Sequence, residues 1–184
     1  MKFLPKIDRR SIWGLFTAAL TFTFVTLMGQ LSLSSDELTN GDRQKKINQM
    51  YVEYKRQFPE VSDISTQEAM KLADVQQVVF IDVRESKEQQ ISMLPGAITE
   101  KEYLDHPEKY NDVVKIVYCT ISYRSGLLAQ KLQKNGAVIY NLHGGLLAWV
   151  HDGGKVFDRN GESKRIHVYG RKWNLGPKSY EAIW

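Results

Sequence analysis

An α/β domain with a central, mainly parallel sheet and helices on both faces is predicted by three observations. Strand-like and helix-like patterns alternate along residues 64–155, the order expected of parallel strands joined by helical crossovers. Two strand candidates, Val78–Ile81 and Lys115–Tyr118, are almost wholly apolar, as strands buried on both faces are. Polar and reactive residues, Asp82 and Cys119, stand directly after these runs; reactive groups of open parallel sheets collect at such carboxyl ends.

The elements follow in order. From Ser11 to Ser35 no residue is charged, and 12–33 is rich in Leu, Phe, Ala, Thr, Val and Ile. About 20 such residues span a bilayer core, so the fold is expected to be preceded by an N-terminal transmembrane helix. The flank Lys6-Ile-Asp-Arg-Arg10 is positive, which keeps the N-terminus cytoplasmic and places a single-pass protein's globular part outside the cytoplasm, in a periplasm or lumen. A cleaved signal peptide is the rival; the length of the run and the lack of an A-x-A-like site near Gly29–Ser34 favour an uncleaved anchor. Residues 34–42 are a polar spacer. Arg43–Phe58 places Ile47, Met50, Tyr51, Tyr54 and Phe58 on one helical face, ended by Pro59. Ser65-Thr-Gln-Glu68 reads as a capping box before a helix over Glu68–Ala73. Strand Val78–Ile81 follows, then Asp82-Val-Arg84, a turn and extended piece at Leu94–Ile98, and a helix over Lys101–Tyr110. Strand Lys115–Tyr118 leads into a helix over Leu127–Lys134 stopped by Gly136. Strand Val138–Leu142 and a Gly144-Gly145 turn lead into a helix that ends by Gly153-Gly154. Four regions result: 1–35 as tail and anchor, 36–60 as spacer and amphipathic helix, 61–157 as the α/β domain, and 158–184 as a basic, aromatic extension.

The 184 residues are 42% hydrophobic with a formal net charge of +4. Residues 1–35 carry +3 and 155–184 carry +4, which leaves 36–154 at −3. The sequence pI near 9.0 therefore reflects two basic ends around a mildly acidic middle, and gives no ground for nucleic-acid binding. One cysteine excludes an intramolecular disulfide and a Cys-rich zinc site, and four scattered His show no metal-ligand spacing. No Gly-rich phosphate loop or nucleotide fingerprint is present. Neither a metal nor a cofactor is expected.

Chemistry concentrates at Cys119-Thr120-Ile121-Ser122-Tyr123-Arg124-Ser125. A thiol between a strand end and a helix start lies where unpaired backbone N–H groups and the helix dipole favour an anion, the setting of a thiolate nucleophile. Arg124 adds a fixed positive charge that can return to the loop mouth. The plainer alternative is a cysteine acting as a small buried hydrophobe. Asp82 and Arg84 could join the chemistry, but a carboxylate and guanidinium in one strand-end loop more often tie that loop down. The basic, aromatic tail from Lys164 to Trp184 could meet lipid headgroups or an acidic protein partner; the favoured reading straps its aromatics onto the domain and leaves its charges solvated.

Five features in this order resemble the rhodanese homology domain: the Ile-Ser-Thr-Gln-Glu-Ala stretch, Phe-Ile-Asp82-Val-Arg84-Glu85, Leu94-Pro95-Gly96-Ala97-Ile98, Cys119 with Arg124-Ser125, and Gly144-Gly145-Leu-Leu-Ala148-Trp149. The likeness runs from about Ile64 to Lys155. Its sulfurtransferase members resemble Cys-x4-Arg, as here, whereas phosphatase relatives use a wider Cys-x5-Arg cradle. The resemblance implies that Cys119 takes a sulfane sulfur from an anionic donor such as thiosulfate and passes it, as a persulfide, to a thiol or cyanide-type acceptor. Thr120, Ile121, Ser122, Tyr123, Arg124 and Ser125 would bind substrate, with the backbone N–H groups of Thr120 to Arg124 holding the persulfide's charge. Two departures stand out: Ser122 occupies a position where many active members have glycine, and Met93-Leu94 replaces a histidine usually found before Pro-Gly-Ala. A non-catalytic binding or sensor module, and a phosphatase or arsenate reductase relative, are the alternatives.

Overall fold

In the computed structural model, residues 38–184 are described, and they form one compact unit. The expected transmembrane helix at 12–33 lies outside the described residues. Among the described residues no helix is long and apolar enough to cross a membrane.

Helix α1 (Asn40–Lys55) begins three residues earlier than the hydrophobic spacing suggests. The cause is local: the Thr39 hydroxyl accepts from the Asp42 N–H, and the Asp42 carboxylate accepts from the Thr39 N–H, so a capping box satisfies donors that would otherwise be orphaned. Strand β1 (Asp63–Ile64) and helix α2 (Thr66–Asp74) follow, and Ser65 and Glu68 form the expected capping box. Next come β2 (Val78–Asp82), the short helix α3 (Ser86–Gln89), β3 (Ile98–Thr99) and α4 (Glu100–Asp105). The helix expected over 101–110 breaks here: a 3₁₀ turn occupies Pro107–Tyr110, because Pro107 lacks an N–H and keeps His106 out of the helical region, at φ −145° and ψ 58°. Then come β4 (Val114–Tyr118), α5 (Tyr123–Lys134), β5 (Tyr140–Leu142) and α6 (Gly145–His151).

The sheet order is β1-β5-β4-β2-β3, parallel throughout. Period-2 alternation sorts its side chains onto two faces. Phe80, Ile116, Tyr118 and Leu142 face a core shared with Ile47 of α1, Ala69 of α2 and Leu146, Leu147 and Trp149 of α6. Val79, Ile81 and Val117 face a second core with Phe58, Tyr103 of α4 and Leu128 and Ala129 of α5. Both faces are thus covered, the condition that permits the nearly unbroken apolar runs of β2 and β4. The α1 stripe divides between them: Ile47 and Tyr51 are buried and Met50 and Tyr54 flank the first core, while Phe58 is fully buried in the second.

The C-terminal extension adds β6 (Val156–Asp158) and β7 (Gly161–Ser163) as a hairpin, and β8 (Arg165–His167) beside β9 (Glu181–Ile183) as a parallel pair. Hydropathy gives little sign of these strands, which are only three residues long. Ile166, Val168 and Leu175 are buried in the first core, and Trp173, Tyr180 and Ala182 pack on it. Buried Arg43 of α1 donates to the Gly176 and Asn174 carbonyls at 2.9 and 3.3 Å. The tail's aromatics do strap onto the domain.

Candidate active site

The register of β2 and β4 sets the site. Asp82 pairs with Tyr118 across the two strands, so Cys119 and Val83 leave the sheet side by side at its carboxyl edge. Residues 119–122 turn sharply into α5. That turn requires Ser122 at φ 72°, in the left-handed region, where a side chain costs about 1–2 kcal/mol. The Ser122 hydroxyl donates to the Leu142 carbonyl and is fully buried, which offsets part of the strain. Ser122 thus holds a left-handed conformation that glycine adopts most readily. Behind the loop, the first N–H groups of α6 reach back: Leu146 donates to the Cys119 carbonyl at 2.9 Å and Leu147 to the Thr120 carbonyl at 3.1 Å. The close approach needs Gly145, at φ 59°, because a Cβ there would lie 2.4 Å from the Cys119 oxygen.

Cys119 is 2% exposed and lines a cavity of about 340 Å³. The N–H groups of Tyr123, Arg124 and Ser125 belong to the first turn of α5, where no intrahelical acceptor exists, and the twelve-residue helix directs its positive end at the loop. Thr120, Ile121, Tyr123 and Arg124 line the cavity as expected. Ser122 and Ser125 do not: the Ser125 hydroxyl donates to Asn141 Oδ1 at 2.7 Å, and both serines are fully buried. They brace the loop from beneath, since a helix start under a sharp turn points its alternate side chains into the protein.

Arg124 is not a free cation. Its Nη1 and Nη2 donate to Glu88 Oε2 and Oε1 at 2.6 and 2.8 Å, a two-pronged pair of the strong kind, and Nη2 reaches Thr120 Oγ1 at 3.3 Å. The Glu88 side chain is wholly buried and that of Arg124 is 29% exposed. Burial pushes Glu88 up, but the Arg124 fork, the Glu85 N–H and the positive charges of Arg124 and Arg84 outweigh it and hold the carboxyl below its ordinary range. Burial likewise pulls Arg124 down, while the bond to Glu88 and the negative charges of Cys119 and Glu88 leave it raised. Nearby, burial lowers His167, whose Nδ1 accepts from the Tyr169 N–H at 3.1 Å. The same Nδ1 lies 3.8 Å from Glu88 Oε1, farther than either prong of Arg124.

Asp82 and Arg84 take the supporting role. Arg84 Nε and Nη2 donate to Asp82 Oδ1 and Oδ2 at 2.9 and 2.7 Å, and Nη2 donates to the Ser92 carbonyl at 2.6 Å. The Tyr118 hydroxyl donates to Asp82 Oδ2 at 2.6 Å and accepts from the Leu94 N–H at 3.1 Å. This buried knot pins Leu94, just before the Pro95-Gly96 turn, to the end of β4.

Four site residues escape a reading of the loop alone: Glu88, and the aromatic wall of Tyr54, Tyr169 and Trp173. Glu88 carried a faint signal as the third residue after Glu85, a helical start behind Asp82-Val-Arg84. The tail aromatics were noted as packing groups, and nothing local aims them at Cys119. A larger, open groove of about 960 Å³ lies between α3 and the β6–β7 hairpin, and Cys119 is not among its lining residues. Among the described residues, no group of His, Cys, Asp and Glu could hold a metal ion.

Residues 65–152 match the family model of the rhodanese-like domain. No curated protein matches the chain. Solved structures similar to it include a rhodanese-related protein of Thermoplasma volcanium, 22% identical over 52% of this chain and 96% of the other, TM-score 0.44. Another is a thiosulfate sulfurtransferase of Pseudomonas aeruginosa, 18% identical over 61% of this chain and 23% of the other, TM-score 0.48. A third is a Rhodopseudomonas palustris protein of unknown function described as a possible tyrosine phosphatase, 24% identical over 60% of this chain and 92% of the other, TM-score 0.46. Likenesses of this degree carry no information about activity.

Proposed function

The chain carries a rhodanese-like domain at residues 65–152, and on that premise we propose that it is a sulfurtransferase working through a persulfide on Cys119. One observation carries the reading: Cys119 and Arg124 line one cavity at the start of α5. The Cys119 thiolate attacks the outer, sulfane sulfur of a donor. The donor's S–S bond breaks and its electron pair departs with the leaving group, sulfite when the donor is thiosulfate. The new S–S bond leaves a persulfide anion, whose charge faces the unpaired N–H groups and positive end of α5. A nucleophilic acceptor then attacks the outer sulfur and restores the thiolate, so that one difficult transfer becomes two easier ones. The loop of six residues from Cys119 to Arg124 suits a single sulfur better than a phosphoryl group. Sulfur transfer to cyanide, measured in the wild type and in Cys119→Ser, tests the reading: transfer that vanishes with the thiol supports it, and no Cys119-dependent transfer from any sulfane donor defeats it.

The uncharged run at 12–33, with its positive flank, supports a single membrane anchor and an extracytoplasmic domain as part of the same proposal. Retention of the protein in the membrane pellet after carbonate extraction is the expected result; release as a soluble chain starting near Ser32 would remove the anchor.

A further inference from the structure

We infer that the sulfur compound served by Cys119 carries an apolar, planar body, an aryl-type organosulfur species in place of an inorganic dianion, an assignment that rests on Cys119 being the sulfur-accepting nucleophile.

The cavity's size and lining set the first condition. Tyr54 of α1, Tyr123 at the start of α5, and Tyr169 and Trp173 of the C-terminal extension line the cavity together with Cys119. At about 340 Å³ the space equals roughly ten waters of ~30 Å³ each, far more than five-atom thiosulfate fills. The rings meet at angles and line the space with aromatic faces and edges: Tyr54 and Tyr123 lie 5.1 Å apart, tilted by 55°, and Tyr169 meets Trp173 edge-on at 5.1 Å. Such surfaces accept a planar, weakly solvated body and offer a hydrated dianion little to replace its water.

Charge sets the second condition. The loop's fixed cation is bound on two prongs by Glu88, so the pair adds little net positive charge to the cavity. The guanidinium's flat face is covered as well, with the Tyr169 ring 5.0 Å from Arg124 Cζ. A dianion would have to compete with a buried carboxylate already in place.

Backbone strain supplies an independent observation. Tyr169 is a non-glycine residue at φ 69°, a conformation that packing or function must hold in place. Its N–H bond to His167 Nδ1 at 3.1 Å fixes that turn, and the ring then lies over Arg124 although the residue is half exposed. An exposed tyrosine held in a strained turn against the site's cation is a cavity wall, where simple core packing would have buried it.

The test uses three stable sulfane donors with the full chain: thiosulfate, methanethiosulfonate and benzenethiosulfonate. With a thiosulfonate, the Cys119 thiolate takes the sulfane sulfur and the sulfinate leaves with the electron pair of the broken S–S bond, so charge and atoms balance without an added oxidant. Rate constants for loading Cys119 are compared with those of free cysteine under the same conditions. The wild type should favour the aryl over the methyl donor about tenfold more than free cysteine does, with thiosulfate slowest. Tyr169→Ser and Trp173→Leu should each reduce that aryl preference about fivefold, in line with the usual strength of an aromatic contact; Tyr169, half exposed, serves as the variant that keeps the fold. An aryl preference equal to that of free cysteine, or one unmoved in both variants, overturns the inference while Cys119 loading stands. No loading from any donor removes the sulfurtransferase reading itself.

Discussion

Replacing Glu88 with Gln probes the part of the site that sets its charge. The side chain is wholly buried and holds Arg124 at 2.6 and 2.8 Å. The amide keeps one acceptor but turns an N–H₂ group toward a guanidinium that only donates. Removing one partner of a buried pair typically costs about 3–5 kcal/mol. Arg124 is 29% exposed and can recover some hydration, so a loss of about 2–4 kcal/mol is expected. At about 2–4 °C per kcal/mol for a chain of this size, the melting temperature should fall by roughly 5–15 °C. The same variant frees a positive charge beside the thiol. An anion some 6 Å from that charge gains about 1 kcal/mol at an effective dielectric between protein and water, a factor of about five in rate. Alkylation of Cys119 by iodoacetate relative to neutral iodoacetamide reads this directly, and that ratio should rise about fivefold at low salt. A destabilisation under 0.5 kcal/mol together with an unchanged ratio would refute the claim that Glu88 neutralises the loop cation.

Acid should act through the same carboxyl. Its folded-state value lies below the ordinary 4.5, so its contribution to stability is present above that value and is lost as pH falls through the depressed one; urea midpoints between pH 6 and 3 should drop further in the wild type than in Glu88→Gln. Tyr118→Phe removes the hydroxyl that joins Asp82 to the Leu94 N–H and should cost about 2 kcal/mol in urea unfolding, with cleavage by a protease first rising around Leu94 and the Pro95-Gly96 turn. Gly145→Ala would bring a Cβ to 2.4 Å from the Cys119 carbonyl; a loss of about 1–3 kcal/mol and a tenfold or greater fall in sulfur loading are expected, and unchanged loading would show that α6 does not position the loop. Ser122→Gly relieves left-handed strain of about 1–2 kcal/mol but deletes the bond to the Leu142 carbonyl, worth about 0.5–1.5 kcal/mol, so its thermal unfolding should shift by only a few degrees.

What the sequence revealed and what it hid divide along physical lines. Strands β2 and β4 were legible because a strand buried on both faces must be apolar almost throughout, and Cys119 was legible because it ends such a run. Asp82 and Arg84 were read as a loop tie from adjacency alone, and the two side chains are hydrogen-bonded to each other. The state of Arg124 was hidden: its partner Glu88 stands 36 positions away on a four-residue helix too short to show periodicity. Tyr54 fitted a helical stripe and was read as core packing, yet it lines the cavity, since a stripe does not say what its last turn meets. The tail was equally opaque, because three-residue strands carry almost no pattern and Tyr169 reaches the site only through a left-handed turn. Ser122 and Ser125 were expected to bind substrate because the resemblance implies it, and both are fully buried beneath the loop.

The most direct test of the account is the mass of Cys119 itself. Intact-protein and peptide mass spectrometry after exposure to benzenethiosulfonate should show one added sulfur on Cys119, discharged by cyanide with formation of thiocyanate and absent from Cys119→Ser. A thiol that gains no sulfur from any sulfane donor, or a sulfur that cyanide and thiols cannot remove, would contradict it.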